Sequence, residues 1–372
     1  MKKALQKMLA LTTCIALCLG FATNAFAATQ QSTQDMQEVM THLDEFTRET
    51  SIDYTGQELS NLTQYPWLAL CQNLDQQQVE QLLADSKANT YFAGYAKYAL
   101  CLAPYLQEEA NQLVAAMCAD PTGPSDANDA LYGLMAVDIA TDSDYSAKRQ
   151  EYIDFILADQ NEDGLFSYVY GGAHTYNTDT TAAVVCALAP YVDQMPEVKQ
   201  AVTNAVTALA KAQTSTGNID GGYGESPDST AVVIYAMCAL GINPDNNDFF
   251  EYSLIDGLMS YITADKTGFC SSYAPRVKNS YTTYGAFMAL TAYQQLLNGN
   301  TTYNIFTKAA NYSVSISAPQ KPETPEDTDK PATQDPDTTP NVDSPVTGDP
   351  FSAALLLPAG MAAVLLKKRK AQ

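Results

Sequence analysis

One block recurs along this chain, and its recurrence constrains the fold more than any single residue does. From Asp159 the sequence runs Asp-Gln-Asn-Glu-Asp-Gly-Leu-Phe-Ser-Tyr and crosses a Gly-rich bridge. It continues through Asn177-Thr178-Asp179-Thr180-Thr181 into an apolar run ending Leu188-Ala189-Pro190-Tyr191. The pattern reads as the end of one helix, a Gly-aromatic loop, and a second helix capped by Asp179. Gly217 to Leu240 repeats it with Asp220-Gly221-Gly222-Tyr223, then Asp228-Ser229-Thr230 and an apolar run. Gly268 to Tyr293 repeats it with Gly268-Phe269, then Tyr281-Thr282-Thr283 and an apolar run. Repeats of this kind imply stacked units that bury a shared core.

Helical periodicity extends the pattern to the whole central region. Polar-faced helices fit 33–49, 74–85, 106–119, 144–160, 196–213 and 247–264. Each is followed by a helix apolar nearly all round, at 58–71, 89–103, 126–139, 179–189, 228–240 and 281–297. One-sided helices belong on the outside of a fold and all-apolar ones inside. Six of each, closing on themselves, predict an all-α fold, an α6/α6 toroid over residues 28–315.

The two ends read differently. Lys2, Lys3 and Lys7 precede an apolar run from Met8 to Phe21 and the small-residue site Ala25-Phe26-Ala27, the pattern of a secretory signal peptide over 1–27. Residues 316–343 are rich in Pro, Thr, Asp and Glu and read as a disordered spacer without a core. Segment 344–372 carries Ser344-Pro345-Val346-Thr347-Gly348, an apolar stretch from Phe351 to Leu366, and Lys367-Lys368-Arg369-Lys370. It resembles a sortase sorting signal of Gram-positive bacteria. That resemblance implies cleavage between Thr347 and Gly348, transient membrane anchoring through 351–366, and attachment to peptidoglycan by a sortase. The expected location is therefore the cell wall, outside the cell.

Formal net charge is −22, from 42 acidic and 20 basic residues. Lys2, Lys3, Lys7 and the Lys367–Lys370 run hold many of the basic ones, leaving no basic patch for nucleic acid or anionic polymers. Six cysteines lie between the end segments (Cys71, Cys101, Cys118, Cys186, Cys238 and Cys270). Most sit in apolar helical runs and none forms a Cys-x-x-Cys pair, so they read mostly as free thiols acting as small hydrophobes.

Gln160-x-x-x-Gly164-x-Phe166 resembles the Gln-Trp repeat of squalene and terpene cyclases, with Phe in place of Trp. Asp220-Gly221-Gly222-Tyr223 and Gly268-Phe269 are similar to the Gly-aromatic repeats of protein prenyltransferase β subunits. The resemblance spans about Ser51 to Asn311 and implies the α/α toroid. The chemistry of those families is harder to place. The acid motif of the cyclases aligns with Asn177, Thr178, Asp179 and Thr180, which keeps one carboxylate. The prenyltransferase zinc-ligand histidine aligns with Thr282. No metal and no cofactor are expected. Asp159-x-Asn161-x-Asp163-Gly164 matches half of a calcium loop and is read as a turn.

Asn128, Asp179 and Asp228 occupy equivalent places in successive repeats, and helix capping explains all three at once. The leading expectation is a monomeric, non-catalytic toroid that binds an unidentified extracellular ligand, small molecule, glycan or peptide. Its aromatic mouth would hold Phe166, Tyr168, Tyr170, His174, Tyr176, Tyr223, Glu225, Asp228, Phe269, Tyr273, Arg276, Tyr281 and Tyr284. The alternatives are a cyclase-like or lyase-like enzyme with Asp179 as acid, and an adhesin that uses the outer helices.

Overall fold

The computed structural model describes residues 32–318 apart from 54, 273 and 274. The signal peptide, the sorting signal and nearly all of the spacer lie outside the described residues, as does Tyr273. A helical stretch at 32–40 (α1) opens the described chain, followed by α2 (Leu43–Arg48), a short hairpin of β1 (Thr50–Ile52) and β2 (Glu58–Ser60), and α3 (Asn61–Gln64). A 3-10 turn at Pro66–Leu70 follows. Five helix pairs come next, in which the first member lies outside and the second inside. They are α4 (Gln76–Ala88) with α5 (Phe92–Leu102), α6 (Gln107–Ala119) with α7 (Ala127–Ile139), and α8 (Ser146–Leu157) with α9 (Thr178–Leu188). The last two are α10 (Pro196–Lys211) with α11 (Pro227–Leu240), and α12 (Leu254–Met259) with α13 (Ser280–Leu297).

Burial separates the two rings. In α11 every residue from Ser229 to Leu240 except Val232 is buried, whereas α4 buries only Leu82 and Ser86. The inner elements pack in sequence, α5 on α7, α7 on α9, α9 on α11 and α11 on α13. Both α13 and α5 then pack on the Pro66–Leu70 turn, which closes the ring. The sixth inner element is thus mostly a 3-10 turn and not the helix expected at 58–71, because Pro66 removes a backbone donor just after α3. The helix expected at 247–264 shrinks to α12. Asn247 Oδ1 accepts from the Phe249 and Phe250 amides at 2.8 and 3.0 Å, holding that stretch as a turn until Ser253 caps α12.

The seam between first and last repeats is paired. Tyr65 stacks on Tyr284 with centroids 4.7 Å apart, and Phe46 meets Phe287 at 5.5 Å. Lys278 reaches Glu49 at 3.0 Å, and Lys266 reaches Asp35 at 2.9 Å and Glu38 at 2.6 Å.

A single device hangs the loops from the inner helices. The amide of Phe166 donates to Thr181 Oγ1, that of Ile219 to Thr230 Oγ1 and that of Phe269 to Thr283 Oγ1, each at 2.9 Å. Phe166, Ile219 and Phe269 are wholly buried beneath those loops. The first loop carries a hairpin of β3 (Phe166–Tyr170) and β4 (Ala173–Asn177), turned at Gly171 and Gly172 with φ of 59° and 86°, a turn that suits two glycines. The second carries β5 (Ile219–Asp220) and β6 (Glu225–Ser226). The motif glutamines tie each repeat to the next. Gln160 Nε2 donates to the Ala201 carbonyl at 2.9 Å, and Gln213 Nε2 donates to that of Tyr252 at 2.8 Å. Asn161 Oδ1 accepts from the Asp163 and Leu165 amides at 3.1 and 2.9 Å, so the calcium-like run is a turn.

The far end of the ring is plugged by residues 301–312. Their donors satisfy carbonyls at the C-terminal ends of inner elements, groups that a helix leaves without internal partners. Asn304 Nδ2 donates to the Cys186 carbonyl at 2.9 Å, the Tyr303 amide to that of Cys238 at 2.9 Å, and Lys308 Nζ to that of Leu70 at 2.7 Å. All six cysteines are free.

The caps differ from the sequence-based assignment. Asp126, Asn177, Ser226 and Asn279 are the N-caps of α7, α9, α11 and α13, and their side chains accept from the amides three residues on. Asn128, Asp179, Asp228 and Tyr281 each follow two residues later, at the second helical position. Replacing Asn177 with alanine is therefore expected to lower stability by about 1 kcal/mol, while Asp179→Asn changes it by less than about 0.5 kcal/mol. Urea denaturation of the two variants checks this. Asn304→Ala, which strips the Cys186 contact and the amide contacts of Phe306 and Thr307, should cost about 3 kcal/mol in the same assay.

Candidate functional site

Because the inner helices run parallel, their N-termini gather at one end of the ring. Three of them bring the residue at the second helical position to the axis. Asp179 from α9, Asp228 from α11 and Tyr281 from α13 line one central cavity with Tyr284, Gly285, Met288, Val232 and Tyr235. Trp67, Tyr132 and Phe306 complete the wall. These deeper residues follow helical spacing: Val232 and Tyr235 lie four and seven residues past Asp228, as Gly285 and Met288 do past Tyr281. That spacing was the signal available in the sequence, and the loop-centred reading passed over it.

Phe306, from the plug, forms the floor. Its ring stands edge-on to Trp67 at 5.1 Å, Tyr235 at 5.4 Å and Tyr132 at 5.8 Å. Trp67 stacks on Tyr132 at 5.3 Å. Space free for water in the cavity is about 30 Å³, room for one or two molecules.

Electrostatics sort the polar groups. Burial pushes the Tyr281 phenol well above its ordinary value, and the charges of Asp228 and Asp179 add to that. Tyr235 and Tyr284 are raised in the same direction, again mainly by burial. Tyr65, behind Tyr284, is pushed up to about 12 by burial and then by Asp228. These phenols stay protonated at neutral pH. Asp179 and Asp228 bring the carboxyl groups of the cavity wall.

The remaining expected site residues divide in three. Tyr170, Tyr176 and Tyr223 are exposed on the loops above the helix N-termini. His174 is also exposed, and its Nδ1 meets Ser167 Oγ at 2.7 Å and Asp159 Oδ1 at 3.1 Å. Both contacts fall on one ring nitrogen and Ser167 is buried, so the trio is not a nucleophilic triad, in which base and orienter use opposite nitrogens. Glu225 is half-buried and accepts from Thr216 Oγ1 at 2.7 Å.

Phe166, Tyr168 and Phe269 are corrections. They are buried, because the threonine latches pull the loop starts into the core, and they do not form an exposed rim. Arg276 lies over the Tyr261 ring at 4.4 Å, donates to the Ser260 carbonyl at 3.1 Å, and is absent from the cavity wall. Among the described residues no group of three or more His, Cys, Asp or Glu could hold a metal ion. None of their helices is long and apolar enough to cross a membrane.

No protein-family model matches the sequence, and no curated protein is similar to it in sequence. Solved structures do resemble it. An unsaturated glucuronyl hydrolase specific for heparin superposes with a TM-score of 0.50 at 9% identity, covering 74% of this chain and 99% of its own. A polysaccharide lyase gives 0.49 at 11% identity, covering 72% and 99%. A possible GH105 family member from Klebsiella pneumoniae gives 0.46 at 12%, covering 72% and 94%. The first of these supports the toroid read from the repeats as a fold, while the narrower kinship with terpenoid cyclases gains nothing from these comparisons.

Proposed function

We propose that the cavity is the active site of an acid–base enzyme that cleaves a glycan, with Asp179 and Asp228 as its working carboxylates. This replaces the non-catalytic binder as the preferred reading. One observation carries it: two carboxylates from adjacent inner helices face a single aromatic cavity, while capping is done by Asn177 and Ser226. Asp179 is therefore not explained by helix capping.

Glycosidic cleavage needs one carboxyl group to protonate the leaving oxygen and a second to activate water or attack carbon. In this proposal Asp179 supplies the proton and Asp228 the base. The tyrosine phenols, held protonated, are donors to sugar hydroxyls and poor bases. That favours carboxylate-driven cleavage over an elimination begun by a tyrosinate. Trp67, Tyr132 and Tyr235 offer apolar ring faces for sugar C–H groups. The glycan class agrees with what the similar structures are named for, although fold by itself assigns no activity.

A pyranose ring exceeds the free space in the cavity, so binding must displace a wall residue. Tyr281, half-buried at the start of α13, stands at the entrance. The exposed Tyr170, Tyr176 and Tyr223 are placed to hold the rest of a chain outside. In the same proposal the protein acts outside the cell, exported by its leader and joined to peptidoglycan by a sortase at Thr347 and Gly348.

Two experiments test this. Against a panel of neutral and uronate-terminated oligosaccharides read by mass spectrometry, Asp179→Asn and Asp228→Asn should each lower turnover at least a hundredfold (about 3 kcal/mol of barrier) with an unchanged melting temperature. Cleavage that survives both changes, or no cleavage of any glycan, would sink the enzyme reading. For the anchor, Thr347→Ala should shift the protein in its native host from the cell-wall fraction to the membrane fraction; unchanged wall attachment would refute sorting at this motif.

A further inference from the structure

One donor in the wall of the central cavity stands without an acceptor. Trp67 lines that wall and is 1% exposed, and its Nε1–H has no hydrogen-bond partner among the described residues. A buried donor left unmet is costly, so it marks a place where an acceptor belongs. Tyr132 stacks on the indole at 5.3 Å and Phe306 meets it edge-on at 5.1 Å. That packing holds the ring beside a free space of about 30 Å³, which takes a polar group of one or two heavy atoms.

The rest of the wall selects among polar groups. Its charged members are Asp179 and Asp228, and among the described residues no Lys, Arg or His belongs to it. Lys97 Nζ lies over the Trp67 ring at 6.0 Å but is not part of the wall. The other polar side chains there are the phenols of Tyr132, Tyr235, Tyr281 and Tyr284. A carboxylate only accepts, and here it would meet two acidic side chains without a counter-charge. An ammonium only donates, and would leave Nε1–H unmet. A methyl group does neither. A hydroxyl does both, accepting from Trp67 while donating to a carboxylate or phenol oxygen. The helix N-termini have a field that favours anions, but at α9, α11 and α13 side chains of Asn177, Ser226 and Asn279 already engage an amide.

We propose that Trp67 Nε1–H is a specificity-determining donor, and that it receives the exocyclic hydroxyl of a neutral hexose at the cleavage point. The proposal rests on the glycan reading above and narrows the substrate to a sugar with an uncharged hydroxymethyl arm. Depth agrees: Asp179 and Asp228 stand at the helix N-termini, while Trp67 packs on the Phe306 floor. A ring held at the level of the aspartates reaches further inward with an arm, and in a hexose that arm is the hydroxymethyl group. Its two heavy atoms match the free space. The chain's net charge of −22 acts in the same direction, since it repels acidic glycans before they reach the mouth.

Trp67 is the only tryptophan of the chain, so tryptophan emission reports on this position alone. Methyl glycosides of the gluco, galacto and manno series are titrated into the intact protein, each with a hydroxymethyl, a methyl or a carboxylate group as the arm. In the tightest-binding series the hydroxymethyl form should shift the emission saturably and bind about tenfold tighter than the methyl form. The carboxylate form should bind more weakly still. Trp67→Phe, followed by calorimetry, should weaken the hydroxymethyl form about tenfold and leave the methyl form unchanged. A tryptophan analogue with sulfur in place of the indole N–H, incorporated at this single position, keeps the ring shape and should have the same effect. A carboxylate form that binds as tightly as the hydroxymethyl form would overturn the assignment, as would a hydroxymethyl preference that survives loss of the N–H, or no binding by any form. A loss that extends equally to the methyl form in both variants would mark Trp67 as structural and overturn it too. A hydroxymethyl preference in binding without cleavage of any glycan would sink the reaction and keep the donor. Cleavage through Asp179 and Asp228 at equal rates for hydroxymethyl- and methyl-bearing ends would do the reverse.

Discussion

Closure of the inner ring is the constraint on which the rest depends. Five helices and one 3-10 turn can enclose a cavity only if the last element meets the first. Here the Tyr65–Tyr284 stack and the Phe46–Phe287 contact make that junction apolar, while Lys278–Glu49 and the Lys266 pairs cover its edge. The aromatic pairs exclude water and do most of the holding. The ion pairs are partly exposed and add little energy, but they penalise other registers of the two repeats. Without closure Asp228 and Tyr281 would face solvent in place of a shared interior.

Closure also gives the ring two chemically distinct ends. Inner helices that all run one way place unpaired amides at the mouth and unpaired carbonyls at the rear. At the mouth, side-chain acceptors meet the amides through Asp126, Asn177, Ser226 and Asn279. At the rear, donors meet the carbonyls through Asn304, Tyr303 and Lys308. The separate caps leave Asp179 and Asp228 at the second helical position, able to act on something other than their own backbone. The rear plug supplies Phe306, so the floor of the cavity is also the stopper of the barrel.

Much of this architecture was legible in the sequence because burial writes it there. Helices apolar all round, such as 228–240, can only be interior, and one-sided ones, such as 196–213, can only be exterior. The failures have equally local causes. Pro66 broke an apolar run that otherwise reads as helix, and Asn247 held 247–253 as a turn. In Asn177-Thr178-Asp179 two good capping residues stand two apart, and propensity alone does not choose between them. Only backbone geometry shows Asn177 in the extended conformation with its side chain on the Thr180 amide. Loop aromatics drew attention as a rim, yet Phe166 and Phe269 are pinned inward by threonines whose latch role has no signature beyond the repeat itself. Trp67, Tyr132, Tyr235 and Phe306 come from four separate elements, and their convergence is a property of the closed ring.

The plug has a consequence for the order of events during synthesis. Each helix pair can begin to pack as soon as it leaves the ribosome, since its neighbours precede it in the chain. The cavity cannot, because its floor is Phe306 and the last third of its wall belongs to α13. A nascent chain that has reached the end of α11 holds both aspartates but no enclosure around them. The protein is thus a string of pairs for most of its making and a vessel only at the end.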